Sequence, residues 1–186
     1  MTRMRKVVAI AASAGGVQAV SRIIAALPFP CASSFFVVVH IGKHPGNLPA
    51  ILNIVSKLPA THGRHGALIE PGHIYVAPPD HHMLVGAGLI WLNQGPRVHY
   101  TRPAADPLFR SVAEAYEGTA VGVVLSGMGA DGAAGLRSIK ERGGLAIVED
   151  PAEAPYPAMP EAALAAVKPD LCLSIQGIAE YLAALC

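Results

Sequence analysis

The sequence has little charge and little cysteine. Only 15% of its 186 residues are charged and the formal net charge is +1, so no basic patch or acidic run points to nucleic acid or an anionic membrane surface as a partner. Cys31, Cys172 and Cys186 are odd in number and have neither C-x-x-C nor metal-ligand spacing, which reads as reduced thiols in a cytoplasmic protein. The charged amino terminus, residues 1–6, leads into an apolar run that breaks at Gly15 and Gly16, too short for a signal peptide or a membrane span. Internal repeats and low-complexity segments are missing, as are the G-x-S-x-G and P-loop patterns.

Hydrophobic residues make up 52% of the chain, enough to cover a sheet on both faces in a single α/β domain. The rest is organised around residues 7–16, VVAIAASAGG, which read as a doubly buried strand followed by a tight turn into a helix over 17–27. Ser13 then sits at a strand-to-helix turn, at the carboxyl end of a parallel sheet and beside the free N–H groups of a helix start. Two roles stay open for it there: an attacking hydroxyl, or a cap or phosphate contact in a glycine-rich loop.

Residues 35–39 form a second buried strand ending at His40, followed by the breakers Gly42, Pro45 and Gly46, and a second helix is expected over 48–58. Residues 60–66 read as a loop holding His62 and His65. The segments 82–85 and 89–92, separated by Gly86-Ala87-Gly88, read as an antiparallel hairpin. Asp106 before Pro107 reads as the N-cap of a helix running to Gly118, and residues 121–125 as a strand that opens into Ser126-Gly127-Met128-Gly129-Ala130-Asp131. Further strands over 145–148 and 171–173 alternate with helices, the last capped by Ser174. The expected fold is α/β, a doubly wound, mostly parallel sheet with helices on both faces and an antiparallel hairpin.

Three loops at strand ends therefore carry Ser13, His40 and Asp131. A serine needs an imidazole to take its proton, and the imidazole needs a carboxylate to hold its tautomer and stabilise its charged form. Other roles compete: His40 satisfied by backbone, Asp131 capping the helix that begins near Gly132, and Ser126 as a rival nucleophile. His62, His65, His73, His81 and His82 crowd one region but lack the helical H-E-x-x-H context of a metal site. A non-catalytic phosphate- or nucleotide-binding module would use residues 13–16 and 127–135, without the P-loop lysine.

These stretches, Ala12-Ser13-Ala14-Gly15-Gly16, Val38-Val39-His40, Pro71-Gly72-His73-Ile74-Tyr75-Val76-Ala77-Pro78, Arg102-Pro103 with Asp106, Leu125-Ser126-Gly127-Met128-Gly129-Ala130-Asp131-Gly132 and Met159-Pro160, resemble in order the catalytic domain of the chemotaxis protein-glutamate methylesterases, CheB. The resemblance implies catalysis by Ser13, His40 and Asp131, an oxyanion held by backbone N–H groups at Ala14 and Met128, and no metal or cofactor. It implies hydrolysis of glutamate γ-methyl esters on chemoreceptor cytoplasmic helices, with glutamine deamidation as a second activity. Partners on this reading are the receptor helices and a separate regulatory protein, with no nucleic acid and no membrane insertion, in the cytoplasm. Ala14 departs from the threonine common in the family. Residues 1–186 are expected to form one catalytic domain without the receiver domain of longer members, and Asp131→Asn is expected to leave the fold intact because asparagine also caps helices.

Overall fold

A computed structural model describes residues 6–40 and 46–186; the expected breakers Gly42 and Pro45 and the charged residues 1–5 lie outside the described residues. In chain order the elements are β1 (Val7–Ala12), α1 (Gly16–Ala26), β2 (Ser34–Val39), α2 (Leu48–Val55), β3 (Ala60–His62), β4 (Ile74–Val76), β5 (His82–Gly86), β6 (Leu89–Asn93), α3 (Ala105–Tyr116), β7 (Ala120–Val124), α4 (Ala133–Glu141), β8 (Leu145–Glu149), α5 (Ala158–Ala166), β9 (Leu171–Leu173) and α6 (Ile175–Ala184).

Seven strands form one parallel sheet in the order β3-β4-β2-β1-β7-β8-β9. Every residue of β1 is buried, because alternate side chains enter different layers. Val8, Ile10 and Ala12 pack with α1, α2 and α6; Val7, Ala9 and Ala11 pack with α3, α4 and α5. The chain winds outward from β1 through β2 to β4, then returns to lay β7 on the other side of β1. The loops after β1 and β7 lead to helices on opposite faces of the sheet, α1 and α4, which makes this pair of strands the switch point of the fold.

The α/β class and the hairpin agree with the sequence reading, with local corrections. Residues 60–62 form the edge strand β3 rather than a loop, and α2 stops at Val55. Strands β5 and β6 form a separate two-stranded sheet whose Met83, Val85 and Ile90 join the core layer of α3. Cys31 and Cys186 are joined in a disulfide across 155 residues, which corrects the expectation of three free thiols; Cys172 remains free and exposed. Short-range spacing could not reveal the pair, because α6 must first fold back beside α1, where Ser33 Oγ donates to the Leu185 carbonyl at 3.1 Å. No helix among the described residues is long and apolar enough to cross a membrane.

Candidate active site

Ser13 is the first residue beyond β1, and its backbone is held from two sides. Its N–H donates to the Ser126 carbonyl at 3.0 Å, tying the β1 loop to the β7 loop, and its own carbonyl accepts from Gly16 N–H at 2.8 Å. The turn needs its glycines. Gly15 has φ +75°, and a Cβ on Gly16 would come within 2.6 Å of Ala12 Cβ. A Cβ on Gly127 would lie 2.7 Å from Ser13 Cβ, so only glycine lets the β7 loop pass this close to the serine.

Ser126, the rival hydroxyl, is fully buried beneath this turn. Its Oγ donates to the Ala14 carbonyl at 3.0 Å and accepts from Tyr156 N–H at 3.0 Å, so it fastens loops together rather than facing solvent.

His40 follows β2, one strand over. Its N–H donates to the Ala12 carbonyl at 3.1 Å, and its Nε2 lies 2.8 Å from Asp131 Oδ2. Thr101 Oγ1, which donates to the Val98 carbonyl, sits 3.3 Å from the same ring nitrogen and accepts a share of its proton. Two acceptors at Nε2 place the proton there and leave Nδ1 as the free base. Ser13 and His40 both line one open cavity of about 400 Å³, along with Gly15, Val39 and Tyr156. No hydrogen bond joins Ser13 Oγ to His40 in this structure; catalytic hydrogen bonds commonly tighten only around a bound substrate.

Asp131 is 2% exposed and accepts three hydrogen bonds. Oδ2 takes His40 Nε2–H and the Ala105 N–H at 2.6 Å, while Oδ1 takes the Asp106 N–H at 3.0 Å. Burial alone would push its carboxyl upward, but the hydrogen bond from His40 and the two backbone N–H groups outweigh it and hold the carboxyl below its ordinary value. Asp131 therefore does not cap the helix that follows it; it caps α3. Asp106 likewise departs from the expected N-cap role at its own helix, since α3 starts one residue earlier with Ala104 at the cap position. Its Oδ1 instead accepts from Gly132 N–H at 3.1 Å and Gly135 N–H at 2.7 Å at the start of α4, and its Oδ2 lies 2.9 Å from His99 Nε2.

Ala14 follows Ser13 in its turn and Met128 follows Gly127, the residue of the β7 loop that passes close to Ser13, and among the described residues no hydrogen bond occupies the N–H of either. The loop histidines do not assemble. His65, His73, His81 and His82 bond separately to Leu92, Thr61, Pro79 and Pro96. Among the described residues the one group of three that brings metal-ligating atoms together is His99, Asp106 and Asp131, all within 4.8 Å of one another. Its carboxylate oxygens already accept the helix N–H groups and imidazoles described above.

Sequence reasoning missed Thr101, the capping role of Asp106, and Glu149, whose Oε2 accepts the Ser126 N–H at 2.6 Å. Thr101 stands next to the Arg102-Pro103 pair, the nearest thing to a signal for it.

A family model described as CheB methylesterase matches residues 8–182. The chain belongs to the CheB methylesterase family. A putative protein-glutamate methylesterase/protein-glutamine glutaminase of Leptospira interrogans (serovar copenhageni) is 38% identical over 175 residues, covering 93% of this chain and 91% of that protein. The protein-glutamate methylesterase/protein-glutamine glutaminase 3 of Anaeromyxobacter dehalogenans is 41% identical over 187 residues, covering 96% of this chain and 53% of its own length. The crystal structure of the Thermotoga maritima CheB methylesterase catalytic domain superposes with a TM-score of 0.92 at 31% identity, over 98% of this chain and 99% of that one. The doubly wound sheet with its separate hairpin is thus the fold of a CheB catalytic domain.

Proposed function

We propose that this chain is a serine hydrolase that demethylates glutamate γ-methyl esters on chemoreceptors, with deamidation of receptor glutamines as a second activity of the same site. The observation that carries the reading is the His40–Asp131 pair: Asp131 Oδ2 accepts the hydrogen bond of His40 Nε2–H at 2.8 Å, which leaves Nδ1 as the base, and His40 lines a cavity that Ser13 also lines.

His40 Nδ1 takes the Ser13 hydroxyl proton as Oγ attacks the ester carbonyl, and Asp131 stabilises the imidazolium that results. The N–H groups of Ala14 and Met128 receive the oxyanion, a role that asks only for backbone and so survives alanine at position 14. The imidazolium then protonates the departing methoxide, giving methanol and an acyl-serine. Water, deprotonated by His40, attacks that acyl group; collapse returns the proton to Ser13 and releases the glutamate carboxylate. A glutamine side chain follows the same path with ammonia as the leaving group. No step draws on a metal or a cofactor.

The partners on this reading are the methylated cytoplasmic helices of receptors and a separate regulatory protein able to cover the cavity, which places the protein in the cytoplasm. Incubation with a receptor fragment carrying tritiated methyl esters tests it: volatile radioactive methanol is expected from the wild type. None from a folded protein would overturn it.

A further inference from the structure

Ser126 is the residue on whose carbonyl Ser13 hangs, and its N–H is itself held by a buried acid. Glu149, at the end of β8, is 1% exposed, and its Oε2 accepts the Ser126 N–H at 2.6 Å. The Ser126 carbonyl in turn accepts the Ser13 N–H at 3.0 Å, and the Ser126 hydroxyl donates to the Ala14 carbonyl at 3.0 Å. One side chain thus reaches both residues of the reactive turn through a single residue, Ser126. Glu149 also lines a cavity of about 190 Å³ behind that turn, with Gln18, Arg22, Glu153, Ser174 and Gln176 around it.

We propose that Glu149 is a positioning residue for Ser13, acting through the backbone of Ser126, and that the cavity beside it gives its carboxyl access to solvent. The inference rests on the reading of Ser13 as nucleophile. An ionised carboxylate is the stronger acceptor for the Ser126 N–H, so the ionised form holds the turn and the protonated form relaxes it. The charged groups facing Glu149 are Arg22 from α1 and Glu153 from the loop after β8; α6 offers only Ser174 and Gln176, and β7 only Ser126. Burial raises the Glu149 carboxyl above its ordinary value, Glu153 adds to that rise, and the Ser126 N–H and Arg22 oppose it. Its proton therefore returns earlier on acidification than that of an ordinary glutamate.

The test is the second-order rate at which a fluorophosphonate modifies Ser13, followed by intact mass in wild type and Glu149→Gln from about pH 8 down to about pH 4. Glutamine matches the neutral acid in shape and still accepts the Ser126 N–H. The wild type is expected to react roughly tenfold faster near neutrality, and the ratio to close toward one at acid pH as Glu149 is protonated. A ratio that stays constant with pH, or equals one throughout, overturns the proposal, because a merely structural role does not titrate. Should the glutamine variant not fold, the wild-type profile decides: two ionisations on the acid limb support the proposal and a single one overturns it. Methanol release measured on the same samples separates the two claims. Labelling of Ser13 without methanol overturns the methylesterase reading alone, labelling with the wrong pH dependence overturns the Glu149 role alone, and no labelling of Ser13 overturns both.

Discussion

Asp131 and Asp106 cap each other's helices. Asp131 accepts the Ala105 and Asp106 N–H groups at the start of α3, and Asp106 accepts the Gly132 and Gly135 N–H groups at the start of α4. Each carboxylate keeps one further contact, Asp131 to His40 and Asp106 to His99. The orientation of His40 is thereby built into the packing of two helices, since the acid that holds the ring cannot shift without uncapping α3.

Asp131→Asn is expected to lower both activity and stability. Both carboxylate oxygens are in use, so asparagine can serve only one side and its NH₂ meets another donor; leaving such a buried donor unpaired costs about 2 kcal/mol. This revises the expectation that asparagine would be harmless to the fold. With the His40 tautomer no longer enforced, the catalytic rate should fall on the order of 10⁴-fold. The folded-state carboxyl of Asp131 is depressed, so its contribution to stability is present above the ordinary value of 3.8 and is lost as pH falls through the depressed value. The stability gap between wild type and variant, measured by urea denaturation, should therefore narrow in acid; a gap that widens there contradicts the assignment.

Ser126→Ala removes one donor and one acceptor contact beneath the turn without touching the Ser126 peptide. A loss of about 1–2 kcal/mol in stability is expected, with methanol release retained within roughly tenfold of wild type. Loss of activity as complete as that of Ser13→Ala would give Ser126 a chemical role.

Cys31→Ser should lower the melting temperature and leave the catalytic rate unchanged. The Cys31–Cys186 bond closes a loop of 155 residues, for which constraint of the unfolded chain is worth on the order of 5 kcal/mol. Cys31 precedes β2 while His40 follows it, so the bond lies at the amino ends of the strands, away from the carboxyl ends that carry the site. Thermal denaturation with and without reductant, read beside methanol release, checks both halves of this statement.

Among the described residues nothing closes the cavity that Ser13 and His40 share, so purified chain is expected to hydrolyse methyl esters at full rate without a phosphodonor. Pre-incubation with acetyl phosphate should change the rate less than about twofold. A large increase that depends on an aspartyl phosphate in this chain would contradict it.

What could be read from the sequence was what local chemistry dictates. The β-branched run of β1 can be satisfied only between two layers, and Ser13 before two glycines marks the turn at its end. The placement of His40 follows from a parallel neighbour to β1. What stayed hidden was pairing at a distance. Asp106 before Pro107 obeys the local rule for an N-cap, yet the N–H groups it caps begin 26 residues away, at Gly132 just ahead of α4. Thr101 comes to His40 across 61 residues, and Glu149 comes to Ser126 across 23. Position in the chain gives no hint of such contacts until the sheet order is known.

The central claim is that Ser13, activated by His40, attacks a glutamate methyl ester. Wild type and Ser13→Ala, both shown to be folded, should be compared for release of tritiated methanol from a methylated receptor fragment. Methanol from the wild type, and a rate lower by several orders of magnitude in the alanine variant, is the result the account predicts. Equal release from the two proteins would contradict it.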